Sequence, residues 1–255
     1  MSDYIQSSVT DRIMTIRFNR PEKKNAILRS MYADAANALL AAQADPNVRV
    51  VVITGAGACF TAGNDLKDFL EVPPVNEEAE VFQFMFALSA FTKPVIAAVN
   101  GLAIGIGTTL LFHCDLAYAV PEATFQMPFI NLGVVPEFAS SLLAPRLFGR
   151  AQAAELLLLG EAFGAEKAKE MGLINAVVPA GELPGTVMSK AKALAVKPPG
   201  ALRDAKALMN AGAAEIRACI LTEAKIFGER LQTPEFKEAA TAFFEKRAPD
   251  FSRFS

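Results

Sequence analysis

The stretch Gly101-Leu102-Ala103-Ile104-Gly105-Ile106-Gly107 offers backbone rather than side chains for chemistry. It follows a solid apolar run at 95–99 and precedes a helix expected from about Gly107 to His113. N–H groups at such a junction lack partners and sit at the positive end of a helix dipole. A developing oxyanion binds well there. The spacing excludes two phosphate-binding loops. A dinucleotide fingerprint fails at Leu110 and lacks a following acidic residue, and no Gly-Lys-Ser/Thr is present for a P-loop. A second junction runs from Gly55 through Gly57, Cys59, Phe60, Thr61 and Gly63 to Asn64 and Asp65. Two N–H donors, one from each loop and converging on one carbonyl oxygen, would form an oxyanion hole. The plainer alternative for either glycine cluster is close packing of a helix on a strand.

Both loops need parallel strands to bring them to one edge of a sheet, where open α/β sheets bind ligands. The pattern supplies such strands at 12–18, 48–54, 95–99 and 115–120, the last three as runs buried on both faces. Helices are predicted at 30–44, with Ser30 as N-cap, at 65–70 and at 77–91. Short buried strands alternating with helices give an α/β class with mostly parallel pairing. From Ser140 onward the chain turns helical, with segments at 151–159, 166–171, 183–196, 201–211, 215–231 and 235–246, interrupted by one short strand at 176–178. A helical tail of that size packs on its own domain or on a neighbouring subunit.

Bulk properties narrow the classes. The chain has 255 residues, 52% hydrophobic and 20% charged, enough for a substantial core in one large domain with an appendage. A net charge of −2 supplies no field for nucleic acid. Three cysteines at unrelated spacings make neither a disulfide framework nor a metal pair. With no signal-peptide pattern in Met1-Ser2-Asp3-Tyr4 and no peroxisomal tripeptide at Phe254-Ser255, a cytoplasmic setting is expected. No apolar run reaches the ~20 residues of a membrane span.

Four segments carry a family resemblance. Asn19-Arg20-Pro21-Glu22-Lys23-Lys24-Asn25-Ala26, the run from Val52 to Lys67, Lys93-Pro94-Val95-Ile96-Ala97-Ala98-Val99-Asn100-Gly101, and Asn131-Leu132-Gly133-Val134-Val135-Pro136 resemble, in order and spacing, the signature blocks of the crotonase (enoyl-CoA hydratase/isomerase) superfamily. The resemblance implies a repeated ββα spiral core over residues 1–195 and a helical trimerisation region over 196–255. It implies an acyl-CoA substrate, no separate cofactor or metal, no nucleic-acid or membrane partner, and a homotrimer or dimer of trimers. It also implies that the oxyanion donors are the N–H groups of Asn64 and Ile106. Lys23, Ala26, Ala62, Gly63, Asp65, Leu66, Lys67, Gly105 and Phe129 would then contact the substrate.

Side chains around the hole select the reaction. The two glutamates of enoyl-CoA hydratases fall, by the same resemblance, on Thr109 and Phe129, neither of which titrates. Hydration needs a group to activate water and a group to deliver a proton. Glu137, directly after Val135-Pro136, matches instead the catalytic glutamate of 3-enoyl-CoA to 2-enoyl-CoA isomerases. Read locally, a glutamate just after a proline is equally an ordinary first-turn partner of a helix dipole. Ring-expanding acyl-CoA isomerases, with aspartate at this position, a hydratase, and a non-catalytic acyl-CoA-binding homologue are the alternatives.

Other candidates have plainer readings. His113, alone on an apolar helix, is expected in the core, and Asp65 as a helix cap. Asp115 is expected to be structural, and Cys59 and Cys114 have no neighbouring base. Lys23, Lys24 and Lys67 either meet CoA phosphates or are solvated. Phe69, Phe82, Phe86, Phe91 and Phe129 either line an acyl tunnel or fill the core.

Overall fold

The computed structural model describes residues 3–74 and 77–254. The elements are β1 (Ile5–Thr10), β2 (Ile13–Phe18), α1 (Arg29–Ala44), β3 (Val50–Gly55), β4 (Cys59–Thr61), α2 (Leu66–Glu71), α3 (Glu80–Ser89), β5 (Val95–Val99), β6 (Leu102–Ile104), α4 (Ile106–Thr109), β7 (Leu116–Ala119) and β8 (Thr124–Gln126). They continue with α5 (Ser140–Phe148), α6 (Arg150–Ala154), β9 (Phe163–Gly164), α7 (Ala165–Glu170), β10 (Ala176–Val177), α8 (Leu183–Ala195), α9 (Pro199–Met209), α10 (Ala213–Arg230) and α11 (Pro234–Glu245).

The large sheet has the order β1-β2-β3-β5-β7-β10 and the small one β4-β6-β8-β9. Pairing is parallel except at β1–β2 and β8–β9. Each turn of the chain contributes one strand to each sheet: β3 then β4, β5 then β6, β7 then β8. A helix follows before the next turn begins. This is the ββα spiral, and it explains the composition of its strands. Val50, Val51, Ile53, Val95, Ile96, Ala97 and Val99 are all nearly inaccessible, as expected of strands covered on both faces.

Strands of the small sheet were not predicted, because three residues are too few to show a period of two. β1 was missed for another reason. Only Ile5 of its six residues is buried, so it reads as polar chain, and its turn uses Asp11 and Arg12 in left-handed conformation rather than a glycine pair. Ser30 does not cap α1. The helix starts one residue earlier, and its first N–H, on Arg29, donates to Asp68 of α2 at 2.8 Å, so the cap comes from a distant segment. α5 was missed because Pro145 lies inside it. The predicted helix at 151–159 is α6 continued as a π-turn over Glu155–Leu159.

α8 lies on the large sheet, and α10 packs on α3 and α5. α9 is pinned by Lys206, whose Nζ donates to the Lys93 carbonyl at 2.8 Å and to Asp115 at 2.7 Å. Asp115 also accepts the first N–H of β5, so its role is structural. Among the described residues no helix is long and apolar enough to cross a membrane. None of those residues forms a group of three or more His, Cys, Asp or Glu able to hold a metal ion.

Candidate active site

The first signature block acts as a latch. Pro21–Lys23 forms a single 3₁₀ turn, and Lys24 and Asn25 follow in left-handed conformation. That turn buries Asn25 completely. Its side-chain amide donates to the carbonyls of Ala56 and Cys59 at 2.9 and 2.7 Å, and its oxygen accepts the Arg20 N–H at 2.8 Å. Asn100 performs the same task from the other side, donating to Gly55 and Gly57 carbonyls. The 55–61 loop is thus fixed by two satisfied amides, one fully and one partly buried, which leaves few alternative conformations.

Beyond the latch, residues 24–27 run beside 62–65. Ala62 donates to Lys24, Ile27 to Gly63 and Asp65 to Ile27, all at 2.8–2.9 Å. Asp65 caps α2 by accepting the Lys67 and Asp68 N–H groups, and Arg20 meets it at 2.6 Å. Burial pulls the Asp65 carboxyl up, but the Arg20 hydrogen bond and the capped N–H groups outweigh it and hold it below the usual range. Replacing Asp65 with Ala removes both cap and ion pair. The expected cost is about 1–2 kcal/mol, read as a fall of roughly 3–6 °C in thermal midpoint.

Two glycines bring the loops together. Gly63 has φ +84, and a Cβ there would stand 2.8 Å from the Ile104 carbonyl. Gly105, at φ 56, turns the chain from β6 into α4 and spends its own N–H on Gln126 at 2.9 Å. The next N–H is that of Ile106, first residue of α4, with Asn64 across the narrow gap at Gly63. Among the described residues neither the Asn64 nor the Ile106 N–H is given to another protein group. Tyr32, buried in α1, donates its hydroxyl to the Asn64 side chain and so fixes that residue's orientation.

Glu137 reaches the far end of α4 from a different element. Its carboxylate is 5% exposed, and its Oε1 lies 3.5 Å from the hydroxyl of Thr109, which is three residues beyond Ile106 on α4. Burial, reinforced by the charge of Glu223 and opposed by the Thr109 contact, pushes its pKa up to about 8. Burial, with Glu137 and then Asp68 adding their charges, likewise raises the Tyr32 hydroxyl, which places Tyr32 in the field of Glu137. The turn after Glu137 is unusual. Phe138 and Ala139 are both left-handed, at φ 60 and 57, a conformation costing non-glycine residues roughly 1–2 kcal/mol each. The turn is held on two sides. His113 Nε2 lies 2.8 Å from the Phe138 carbonyl, and its ring stacks on that of Phe138 at 3.9 Å. Burial pushes the imidazole down to about 4, so at neutral pH it is uncharged and its Nε2 proton is the one donated. His113 is thus a packing residue, as its sequence position suggested.

Glu137 lines a small apolar cavity of about 10 Å³, room for one water, together with Phe69, Phe82, Met85, Ile220, Glu223 and Phe227. Phe69 and Phe82 therefore line it. Phe86 lies under the Arg217 guanidinium and Phe91 near Lys206 instead, while Phe129 is buried in the core. A far larger groove, about 1170 Å³, runs beneath α8 past Lys24, Cys59 and Glu122, away from the Glu137 carboxylate. The structure brings Ala26, Ala62, Gly63, Asn64, Asp65, Gly105 and Ile106 together. Leu66 is partly buried at the start of α2, whereas Lys23 and Lys67 are exposed, the latter 3.8 Å from Glu71. Tyr32 and Glu223 were missed by sequence reasoning. Their partners lie 32 and more than 80 residues away, so no local pattern announces them.

Comparison with known proteins gives the family. The family described as Enoyl-CoA hydratase/isomerase matches residues 8–253. The chain is 37% identical to Enoyl-CoA delta isomerase 2 of Homo sapiens over 93% of its own length, and spans 62% of that longer protein. It is 35% identical to 1,2-epoxyphenylacetyl-CoA isomerase of Escherichia coli K12, covering 99% of each. Relatives named as hydratases match at comparable identity, 34% for 2,3-dehydroadipyl-CoA hydratase of the same organism. Among solved structures, OdaA of Pseudomonas aeruginosa superposes with a TM-score of 0.93 at 49% identity, covering 95% of this chain and 99% of that one.

Proposed function

The chain belongs to the enoyl-CoA hydratase/isomerase family, and within it we propose that it is an isomerase that moves the double bond of a 3-enoyl-CoA to the 2-position. The carboxylate of Glu137 takes a proton from the carbon next to the thioester carbonyl. The C–H electrons pass into a dienolate whose oxygen is held by the Asn64 and Ile106 N–H groups. Glu137, now protonated, delivers a proton two carbons further along, and a fraction of its protons exchange with solvent before delivery. One bond to hydrogen breaks and one forms, the double bond moves by one carbon, and nothing is lost. A pKa near 8 suits both halves of that exchange, since a group poised near the working pH both accepts and donates.

The observation that carries this reading is the single free carboxylate. Glu137 stands in the apolar cavity, 3.5 Å from the Thr109 hydroxyl one helical turn beyond Ile106 on α4, while Thr109 and Phe129 cannot titrate. The other carboxylate lining the cavity, Glu223, has both oxygens engaged by donors. Hydration needs two working groups, so the hydratase names among relatives do not decide the reaction. Ring expansion, suggested by the likeness to the epoxyphenylacetyl-CoA isomerase, uses the same hole and is the second reading. We place Lys23, Ala26, Ala62, Gly63, Asp65, Leu66, Lys67 and Gly105 along the acyl-CoA path, with no further cofactor, and leave Phe129 in the core.

Proton NMR in deuterated water tests the reading. A 3-enoyl-CoA is expected to exchange its protons next to the carbonyl and to migrate. Water addition without migration points to a hydratase, and binding with no exchange to a non-catalytic homologue. We also place this chain in a homotrimer or dimer of trimers. Phe243 and Phe244 on α11 are 61% and 52% exposed, which suits a subunit contact. Light scattering is expected to give a multiple of three times 27.2 kDa. Replacing both phenylalanines with glutamate is expected to shift the mass towards one chain, and a wild-type monomer sinks the assignment.

A further inference from the structure

We propose that Glu223, on the C-terminal helix α10, is a positioning residue for Glu137: by accepting the N–H groups of Ala139 and Ser141 it holds the turn that aims the Glu137 carboxylate into the cavity. The proposal rests on the acid/base reading of Glu137 given above. Its basis is geometric. Phe138 and Ala139 both adopt left-handed conformation, which a non-glycine pair keeps only when its surroundings enforce it. The turn presents the Ala139 and Ser141 N–H groups to one side, a concavity for an anion, while the Ser140 N–H between them returns to the Glu137 carbonyl at 3.1 Å. Glu223 fills it, Oε2 accepting from Ala139 at 2.6 Å and Oε1 from Ser141 at 3.0 Å, with the Ser141 hydroxyl as a third donor. His113 closes the other side at the Phe138 carbonyl.

Two further facts give this contact its meaning. Glu223 is 6% exposed and lines the same cavity as Glu137, on the helix face that also carries Ile220, Ala224 and Phe227. Docking α10 therefore supplies one wall of the cavity and sets the turn in one step. With its oxygens occupied, Glu223 is not free to trade protons with a substrate, so it acts through Glu137. A C-terminal helix that has not docked leaves Glu137 on a turn with no anion in its concavity.

Glu223→Gln tests this, because a carboxamide presents N–H to one of the two backbone donors it must accept. Turnover is expected to fall about ten- to a hundred-fold, the range for a misplaced reacting group, while KM stays within about twofold. In Glu137→Gln the same change is expected to cost nothing further, since two residues acting through one group are not additive. An equal loss in both backgrounds, or a variant that keeps more than half of wild-type turnover, overturns the proposal. A readout without turnover separates this from failure of the isomerase reading. In protein carrying ¹³C-carboxyl glutamate, the resonance absent from Glu137→Gln belongs to Glu137. Its titration midpoint is expected to move down in Glu223→Gln, whatever reaction the site performs, and an unmoved midpoint overturns the proposal. If Glu223→Gln does not fold, Ser141→Ala removes one donor from the same carboxylate and is read the same way, with a smaller loss expected.

Discussion

Glu137→Gln is expected to lower isomerisation and exchange of the protons next to the carbonyl by at least about 10²-fold, the contribution of a positioned acid/base, and to leave acyl-CoA affinity unchanged. The substitution keeps shape and hydrogen-bonding size, so the cavity and the left-handed turn survive. Retention of more than about a tenth of the activity removes Glu137 from the mechanism. Two pH signatures accompany the loss. In the wild type the base works only when ionised, so kcat/KM rises with pH through a limb near 8, the value to which burial and the neighbouring Glu223 charge push this group. Stability moves the other way. The folded protein keeps a proton that the unfolded chain gives up near the ordinary value of about 4.5. This contribution is fully present below about 4.5 and is lost as pH rises through about 8. Glu137→Gln has no such proton to lose. The difference in denaturation midpoint between variant and wild type is therefore expected to grow in the variant's favour between those two pH values. Glu223, Tyr32 and the neutral His113 face or hold the group in both proteins, so they largely cancel in the difference.

How much of this was legible in the sequence depends on the range over which each contact acts. The β-branched run at β3 and the apolar run at β5 are buried on both faces, and their composition announces that burial directly. The two glycine junctions were legible only in part: positive φ at Gly63 and Gly105 leaves its mark on residue type where each chain turns into its helix, but the short strands β4 and β6 inside the junctions were not legible. Asn25 and Asn100 stood inside recognisable blocks, yet their work as amide latches on the 55–59 carbonyls needs three dimensions to see. Ser30 was misread as a cap because a serine near a helix start is a local signal, whereas the true cap, Asp68, is 39 residues from the N–H it accepts. The environment of Glu137 was the least legible part. Its neighbours Tyr32, Thr109 and Glu223 come from α1, α4 and α10, and only chain folding assembles them. Its identity as a candidate comes from its position directly after a block, whereas its raised pKa comes from burial.

The oxyanion hole makes the second large prediction, and it can be tested at the backbone itself. Ile106 is the first residue of α4, where proline is well tolerated because the N–H has no helical partner. Ile106→Pro therefore deletes one proposed donor while sparing the hydrogen bonds that Thr108 and Thr109 make to the Gly105 carbonyl. Loss of one such donor is expected to lower kcat by about 10²–10³-fold, or roughly 3–4 kcal/mol of transition-state stabilisation. KM is expected to change little, since the neutral thioester carbonyl gains far less from the hole than the dienolate does. Ile106 is completely buried, so the smaller side chain also leaves a gap. Ile106→Val supplies the control for that gap. It keeps the N–H, removes one methylene at a cost of about 0.5–1.5 kcal/mol in stability, and is expected to turn over at near the wild-type rate. A proline variant that folds and retains kcat within tenfold of the valine variant moves the oxyanion away from Ile106. A proline variant that loses turnover and also stops exchanging the protons next to the carbonyl ties enolate formation to that N–H, since exchange requires the enolate and nothing beyond it.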